Sequence, residues 1–382
     1  MSREAITEDV TVGREASAGA RPPVITDPLQ HAAWDSLLEA HPSSSVFHTA
    51  AWAQVLHETY GHQPAYLCRF AGERLEALLP VMEVSSPLTG RRGVSLPFTD
   101  FCAPLTSGCE EARGLYHLAL EHGRRRAWRY FECRGSAQGW DAASPSLTFY
   151  GHSIDLRRSE AALFGGLESA VKRGIRKAEQ QGIRIEFSGE LGAAKELRGR
   201  DVPAPMGAAD AMEVFYRLHC RTRRRHGLPP QPCRFFEHIA RNVLGAGHGF
   251  IVIARFEERP VAAAVFFDWG RQAIYKFGAS EFAFQHLRPN NLLMWESIKR
   301  CALHGLHSLH LGRTSQANEG LRRFKLGFGA TEETINYYRY DFAQDAFVTD
   351  TDRAQGWANT FFRLLPPPLL RLAGQLLYPH LS

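Results

Sequence analysis

The sequence predicts a mixed α/β (α+β) protein of two similar units in tandem, each a twisted mixed sheet flanked by helices. Length is the first reason: 382 residues exceed what one ordinary hydrophobic core holds. The second is an order of elements that occurs twice: a hairpin, then a helix, then a strand. Cys68-Arg69-Phe70-x-x-x-Arg74-Leu75-x-Ala77 is answered, within a one-residue shift, by Ala254-Arg255-Phe256-x-x-Arg259-Pro260-Val261-Ala262. A helical stretch over 111–125 leads to a strand over 129–133, and the same happens over 290–303 and 308–312. Third, 44% apolar and 22% charged residues are ordinary for a soluble globular protein.

Residues 1–23 are polar, small and poor in large apolar side chains, the composition of a disordered lead. Structure is expected to begin at Val24-Ile25-Thr26, followed by a short helix marked by Trp34, Leu37 and Leu38. Thr49 is placed to cap a second helix whose Trp52, Val55, Leu56 and Tyr60 face inward. The first hairpin runs over 65–70 and 75–84 around Ala71-Gly72-Glu73. Between the units, Leu163, Leu167, Val171, Ile175 and Ala178 keep helical spacing, Gly182 closes the second helix, and 183–187 reads as a strand. Residues 189–209 form a loop rich in Gly, Ala and Pro. Helices are expected over 211–219 and 233–244. The stretch 222–230 between them is a basic loop, because its prolines disfavour helix in the residues before them.

Residues 273–278 are β-prone and stop at Gly278, and Arg288-Pro289-Asn290-Asn291 offers a helix start with an Asn as cap. Leu293, Met294, Ile298 and Ala302 keep a helical period up to Gly305. Ser308-Leu309-His310-Leu311-Gly312 is a second short strand, with Arg313 just past its C-terminal end. Ligands in α/β layers collect at such strand ends. A short basic helix then ends in Arg322-Arg323-Phe324-Lys325-Leu326-Gly327-Phe328-Gly329, and strands follow over 331–340. The tail is apolar but broken by Pro366-Pro367-Pro368. Those prolines interrupt any amphipathic face, so the tail is expected to pack on the protein. Lying on a membrane surface is the alternative.

The formal charge is +5, concentrated at Lys172-Arg173-x-x-Arg176-Lys177, Arg221-x-Arg223-Arg224-Arg225 and Arg322-Arg323-x-Lys325. Such patches favour a phosphate-bearing substrate or tRNA, and solvated helix faces are the plain alternative. The 7 cysteines are odd in number and form no C-x-x-C pair, which fits reduced thiols in the cytosol. No apolar run reaches the ~18 residues of a membrane span. The N-terminus has no hydrophobic signal core, so the expected location is the cytoplasm.

The ending Phe324-Lys325-x-x-Phe328-Gly329 resembles the Phe-Lys-x-x-Phe-Gly signature of the Fem-type aminoacyl transferases and their tandem GNAT (N-acyltransferase) relatives. The helix Leu292-Leu293-Met294-Trp295-Glu296-x-Ile298-Lys299 is similar to the one those proteins carry before that signature. Arg173-x-x-Arg176-Lys177 sits in a run that resembles the family's Arg-x-x-Ile-Arg-Lys-Ala-Glu-x-x-Gly element. The resemblance covers roughly residues 46–341. Muropeptide-binding members often carry a lysine about one turn after the Trp that matches Trp52. Here Gln54, Leu56 and His57 occupy that region.

What the resemblance implies is two GNAT-like domains, over 24–157 and 158–336, with 337–382 returning to pack on the first. It implies transfer of an aminoacyl or other acyl group to an amine of a cell-envelope precursor, peptidoglycan or polysaccharide. The donor is aminoacyl-tRNA, presented by its acceptor stem, or an acyl-CoA, and no cofactor is tightly bound. Lys325 and Arg313 are the expected catalytic pair. Phe324, Tyr275, Lys276, Glu296, Arg224, Arg173, Arg176 and Lys177 are the expected binding residues. Lys325 should stand in the main cleft of the second unit, so that Lys325→Ala removes activity while the melting temperature barely moves.

Two other readings stay open. One is a plain acetyl-CoA N-acetyltransferase, although the turn 286–291, where that class cradles the pyrophosphate, has no glycine and contains Pro289, which lacks an N–H. The other is a non-catalytic module that binds a polysaccharide or lipid precursor for an envelope assembly system. Under any reading the expected place is the cytoplasm, with the inner face of the membrane as the site of contact. Metal and nucleophile chemistries find no support. There is no H-E-x-x-H, no G-x-S-x-G and no Walker loop, and His304, His307 and His310 fall at intervals that do not converge.

Overall fold

A 13-stranded mixed sheet runs through most of the molecule. Across it the strands lie in the order Gln63–Pro64, Met82–Ser86, Gly90–Val94, Tyr130–Arg134, Thr331–Asp341, Leu147–Asp155, Ser308–His310, Gln272–Ser280, Arg259–Trp269, Gly249–Phe256 and Ile183–Ser188. Thr314–Ser315 pairs with Leu147–Asp155 and Ala346–Val348 with Thr331–Asp341, in the middle of this order. A separate three-stranded sheet holds Val24–Thr26, Tyr66–Ala71 and Arg74–Leu79. The computed structural model describes residues 22–135, 139–140, 143–188, 206–350 and 357–381. Residues 1–21 of the expected lead and 189–205 of the expected loop lie outside the described residues.

The two hairpins found in the sequence share one backbone design. Ala71 faces Arg74 and Phe256 faces Arg259 across two-residue turns, with Gly72 and Glu257 at φ 61° and 53°. In each, the return strand skips one residue, Glu76 and Val261. That register matches Arg74, Leu75 and Ala77 to Arg259, Pro260 and Ala262. It sets Phe70 level with Arg255, so the one-residue shift lies in the outgoing strands. The expected strand over 75–84 is two strands in different sheets. Pro80, which has no N–H to give a ladder, stands at the break.

Each half contains one parallel pair closed by a helix. Gly90–Val94 and Tyr130–Arg134 flank the helix Cys109–Arg125, and Gln272–Ser280 and Ser308–His310 flank Pro289–Leu303. The halves are welded by an exchange. Leu147–Asp155 follows the first half in the chain but pairs with Ser308–His310 of the second. Thr331–Asp341 follows the second half but pairs with Tyr130–Arg134 of the first. The two exchanged strands pair with each other, Thr331 opposite Ser153 through Tyr337 opposite Leu147. The cores follow suit. Phe47 and Trp52 of the first half share one core with Phe235 and Phe267 of the second, whereas Val171, Ile175, Trp295 and Phe328 fill a core belonging to the second half alone.

Several local expectations change. The helix expected over 211–219 is Ala208–Arg225, so the arginines at 223–225 form its last turn rather than a loop. Cations are favoured there by the helix dipole, and Gly227 at φ 68° supplies the left-handed turn after it. The strand expected to stop at Gly278 runs to Ser280. The helix after it starts at Pro289, with Arg288 at φ 62° before it and no Asn side chain capping it. In the tail, Pro367 opens the helix Pro367–Leu377 instead of interrupting it. One face packs, through Leu370, Gly374 and Tyr378, and the opposite face does not.

Glu132 clamps the exchange. Its buried carboxylate accepts from Arg134 at 2.8 Å on its own strand and from Arg339 at 2.6 Å on the returning strand. Burial pushes the Glu132 carboxyl up, but the two guanidiniums outweigh this and hold it below the usual carboxylate range. Its contribution is therefore present above the ordinary glutamate pKa and is lost as pH falls through the lowered folded value. Glu132→Ala leaves the buried Arg134 guanidinium without its carboxylate and frees Arg339, which keeps Asp350 at 2.6 Å, and should cost about 3 kcal/mol in urea unfolding. A loss under about 1 kcal/mol would show that the clamp does not hold the strands together.

Candidate active site

The parallel strands Gln272–Ser280 and Ser308–His310 pair only from Gln272 opposite Ser308 to Ile274 opposite His310. Beyond that the chain leaves at Gly312, and Thr314 pairs with Tyr150 instead. The far half of Gln272–Ser280 then has strand pairing on one edge only, to Arg259–Trp269. A cavity of about 1050 Å³ opens there. Its walls are Lys276–Ser280, the start of Pro289–Leu303, the helix Glu319–Leu326, the arginine-rich end of Ala208–Arg225, and the first-half loop carrying Asp100.

Lys325 reaches this cavity because of how its helix is seated. Asn318 caps the helix by accepting from the Leu321 amide at 3.1 Å. Phe328 is buried, with its ring 5.1 Å from that of Phe324. Gly329, at φ 74°, passes Gly166 so closely that a Cβ would stand 3.1 Å from its carbonyl oxygen. Phe328 and Gly329 thus anchor the helix, and Lys325 and Phe324 are the parts of the signature that line the cavity. Lys325 is only 2% exposed. Its ammonium donates to the carbonyls of Gly312 at 2.6 Å and Arg313 at 3.1 Å, which leaves one N–H uncommitted to these carbonyls. Burial pulls its pKa down to about 8, with a small opposing effect from Asp100.

Asp100 was invisible in the sequence and is central here. It accepts from Lys276 Nζ at 2.7 Å and from the Arg313 amide at 3.4 Å. Burial pushes its carboxyl up, but Lys276, Arg313 and His310 outweigh that and keep it ionised. Lys276 is lowered by burial, with Asp100 opposing. The Arg313 guanidinium lies 4.4 Å from the centre of the Phe149 ring and donates to the Tyr337 hydroxyl at 2.8 Å. Tyr337 in turn donates to the main-chain oxygen of Asp100 at 2.7 Å. Arg134 holds the same loop through the Leu96 oxygen at 3.3 Å. In that loop Leu96 and Phe98 take left-handed φ values of 58° and 62°, the kind of backbone strain found at ligand-binding sites.

Of the residues expected to act, Lys325, Arg313, Phe324, Tyr275 and Lys276 line one cavity. Tyr275 depends on Gly278, where a Cβ would meet its hydroxyl at 1.8 Å. The others lie elsewhere. Glu296 sits farther down its helix, paired with Lys299 at 2.7 Å. Arg173, Arg176 and Lys177 face solvent, because Val171, Gly174, Ile175 and Ala178 take the buried face of their helix. Arg224 is exposed. Its neighbours Arg223 and Arg225 line the cavity instead, since consecutive residues on a helix point in different directions. His219 also lines it, held neutral by burial, with a pKa near 3, and bonded to Gln231 at 2.8 Å. A missed signal was the helical spacing of His219, Thr222 and Arg223, which places them along one side of a helix. His304, His307 and His310 bond respectively to the Arg300 carbonyl, the Arg271 side chain and the Gly312 amide, and do not meet.

Residues 168–333 match the acetyltransferase (GNAT) domain family. No curated protein matches the chain in sequence. Among solved structures, FemX is similar at a TM-score of 0.61 and 13% identity, covering 85% of this chain and 98% of that one. The C-terminal domain of a putative lysylphosphatidylglycerol synthetase from Agrobacterium fabrum is similar at 0.52 and 13%, covering 83% and 92%. A tandem GNAT protein from the clavulanic acid biosynthesis pathway is similar at 0.50 and 10%, covering 84% and 98%. At these identities the likeness speaks for the fold. Residues 168–333 thus match the acetyltransferase (GNAT) domain family, and the chain as a whole has the fold of FemX and of a tandem GNAT protein.

Proposed function

We propose that this chain transfers an aminoacyl or related acyl group to an amine of a cell-envelope precursor, in the cavity between its halves and at the inner face of the membrane. The observation that carries the reading is a buried ammonium, Lys325, beside the turn at Gly312 and Arg313, with one carboxylate, Asp100, among the described lining residues. The incoming amine attacks the acyl carbonyl and a C–N bond forms. The remaining Lys325 N–H stabilises the oxyanion. As the nitrogen gains its bond its proton becomes acidic and passes to Asp100. The C–O bond of an aminoacyl ester, or the C–S bond of a thioester, then breaks, and the leaving group takes up the proton.

The rim carries Arg223, Arg225 and His226, a cationic mouth suited to the phosphates of a tRNA end, a nucleotide or a lipid carrier. The names of two similar structures, FemX and lysylphosphatidylglycerol synthetase, favour aminoacyl transfer. The family match over 168–333 favours acetyl transfer from acetyl-CoA as a second reading. Against it, Pro289 at the first position of the helix Pro289–Leu303 removes an N–H that a pyrophosphate would use. Labelled transfer from charged tRNA and from acetyl-CoA to extracted envelope precursors separates the two. Product from charged tRNA is expected. Binding of precursor with no transfer from either donor would leave only a binding module.

Lys325→Ala should lower turnover about a hundred- to a thousandfold, the worth of ~3–4 kcal/mol for a preorganised oxyanion donor. It should also destabilise the fold by about 1.5–3 kcal/mol, because two carbonyls lose a charged donor. The nearly unchanged melting temperature expected for a lysine standing in the cleft does not suit a side chain that is 2% exposed and bonded to two carbonyls. Lys325→Arg should recover little, since a planar fork does not replace a point charge in this space. Turnover of the native chain should fall as pH rises through about 8, where Lys325 loses its proton. A rise over that range would instead make Lys325 a general base.

A further inference from the structure

The tail presents a surface that the cavity chemistry does not use. Leu370, Gly374 and Tyr378 of the tail are buried against the protein, and a Cβ at Gly374 would meet the Pro230 oxygen at 2.0 Å. Arg223 donates to the Tyr378 hydroxyl at 2.8 Å, and Arg92 donates to the His380 oxygen at 2.8 Å. The helix is therefore pinned in one rotation. That rotation turns Leu369, Leu372 and Leu376 outward at 51%, 48% and 63% exposure. In the preceding helix Phe361 and Leu364 stand 55% and 79% exposed. Leu88 lies in the turn that bonds the end of the tail through Ser86 and Thr89, whereas Leu303 is exposed singly at the end of its own helix.

Charge decides what covers this face. Residues 361–381 contain Arg363, Arg371 and His380 and no acidic side chain. Arg371 lies against Cys220 and Tyr216, and Arg363 lies close enough to His226 to help hold its pKa down, after burial and the nearer arginines. The apolar stripe thus borders the arginine-rich end of Ala208–Arg225, while that helix's carboxylates, Asp210 and Glu213, sit in its first turns. Among the described residues no helix is long and apolar enough to cross a membrane. An apolar stripe edged by cations, on a short helix that cannot span, is the pattern of interfacial binding.

We propose that the two tail helices dock this chain onto an anionic phospholipid surface, with Leu369, Leu372 and Leu376 entering the headgroup boundary and the neighbouring arginines meeting lipid phosphates. Tyr378 and Leu381 line the cavity, so the docked tail sets the cavity mouth beside the bilayer. Binding to lipid stands apart from the acyl chemistry. That the mouth receives a lipid-borne acceptor rests on the reading of the cavity given above.

The test is co-sedimentation of the full chain with vesicles of phosphatidylcholine alone and with roughly one third phosphatidylglycerol. The full chain should bind the anionic vesicles and not the neutral ones. Leu372→Glu combined with Leu376→Glu should lower partitioning at least about tenfold, by placing charge where apolar side chains enter the boundary. Leu303→Glu, at the far end of Pro289–Leu303, should leave it unchanged. If the glutamate pair does not fold by circular dichroism, Leu372→Ser carries the same comparison with a smaller change. Absence of binding, absence of preference for the anionic lipid, or equal binding by the tail variants would overturn the proposal. So would a dimer in sedimentation velocity that the tail variants dissociate, since a second copy would then cover the face. Transfer to a water-soluble amine, measured in parallel, reports on the cavity reading separately.

Discussion

The exchange of Leu147–Asp155 and Thr331–Asp341 between the two halves is the constraint from which the rest of the architecture follows. Each strand leaves the half that precedes it and completes the other, and the two then pair along their shared length. One half cannot move against the other without breaking this ladder. The cavity between them is accordingly built from both, Asp100 coming from the first half and Lys276, Arg313 and Lys325 from the second. Charges line the seam in a chain, half-buried at Arg339 and buried at Glu132 and Arg134. Arg339 meets Glu132, Glu132 meets Arg134, and Arg134 holds the loop that carries Asp100. Such pairs add little against a well-packed apolar seam, but losing one partner is expensive, so they fix the docking geometry more than they raise stability.

Lys325 shows how one side chain serves both fold and site. It ties down the carbonyls of Gly312 and Arg313 at the point where the parallel strands part. Without that tie the turn would carry two under-satisfied carbonyls beside an ionised Asp100. Burial brings the pKa of the ammonium down to about 8, well below that of a surface lysine. The left-handed residues Leu96 and Phe98 lie in the loop that carries Asp100, whose carboxylate accepts from the amide of that turn's Arg313. Left-handed backbone and buried charge thus occur together in the walls of one cavity.

The cavity mouth has a different character. Arg223, Arg225 and His226 stand beside Tyr378 and Leu381, so cationic and apolar surfaces meet at the opening. The interior presents buried, directional groups, whereas the rim presents long-range charge beside Tyr378 and Leu381. A ligand with an anionic head and an extended chain meets both in turn.

The sequence by itself determined the elements and their repetition. Periodicity marked the helices, the hairpins showed twice, and the Phe324 to Gly329 signature pointed to Lys325 and Arg313. These are local properties, set by backbone sterics, side-chain spacing and capping within a few residues. Tertiary structure decided the rest. Only packing could reveal that Leu147–Asp155 and Thr331–Asp341 trade places, since a strand's partner depends on contacts far along the chain. Only packing brought Asp100 to Lys276, because a single carboxylate in a loop carries no spacing signal. It also separated Arg223 and Arg225 from Arg224 by making their stretch a helix, and left Arg173, Arg176 and Lys177 in solvent. Charge in a sequence says how much is present, whereas the fold decides which charges are desolvated and face one another, and that sets their chemistry.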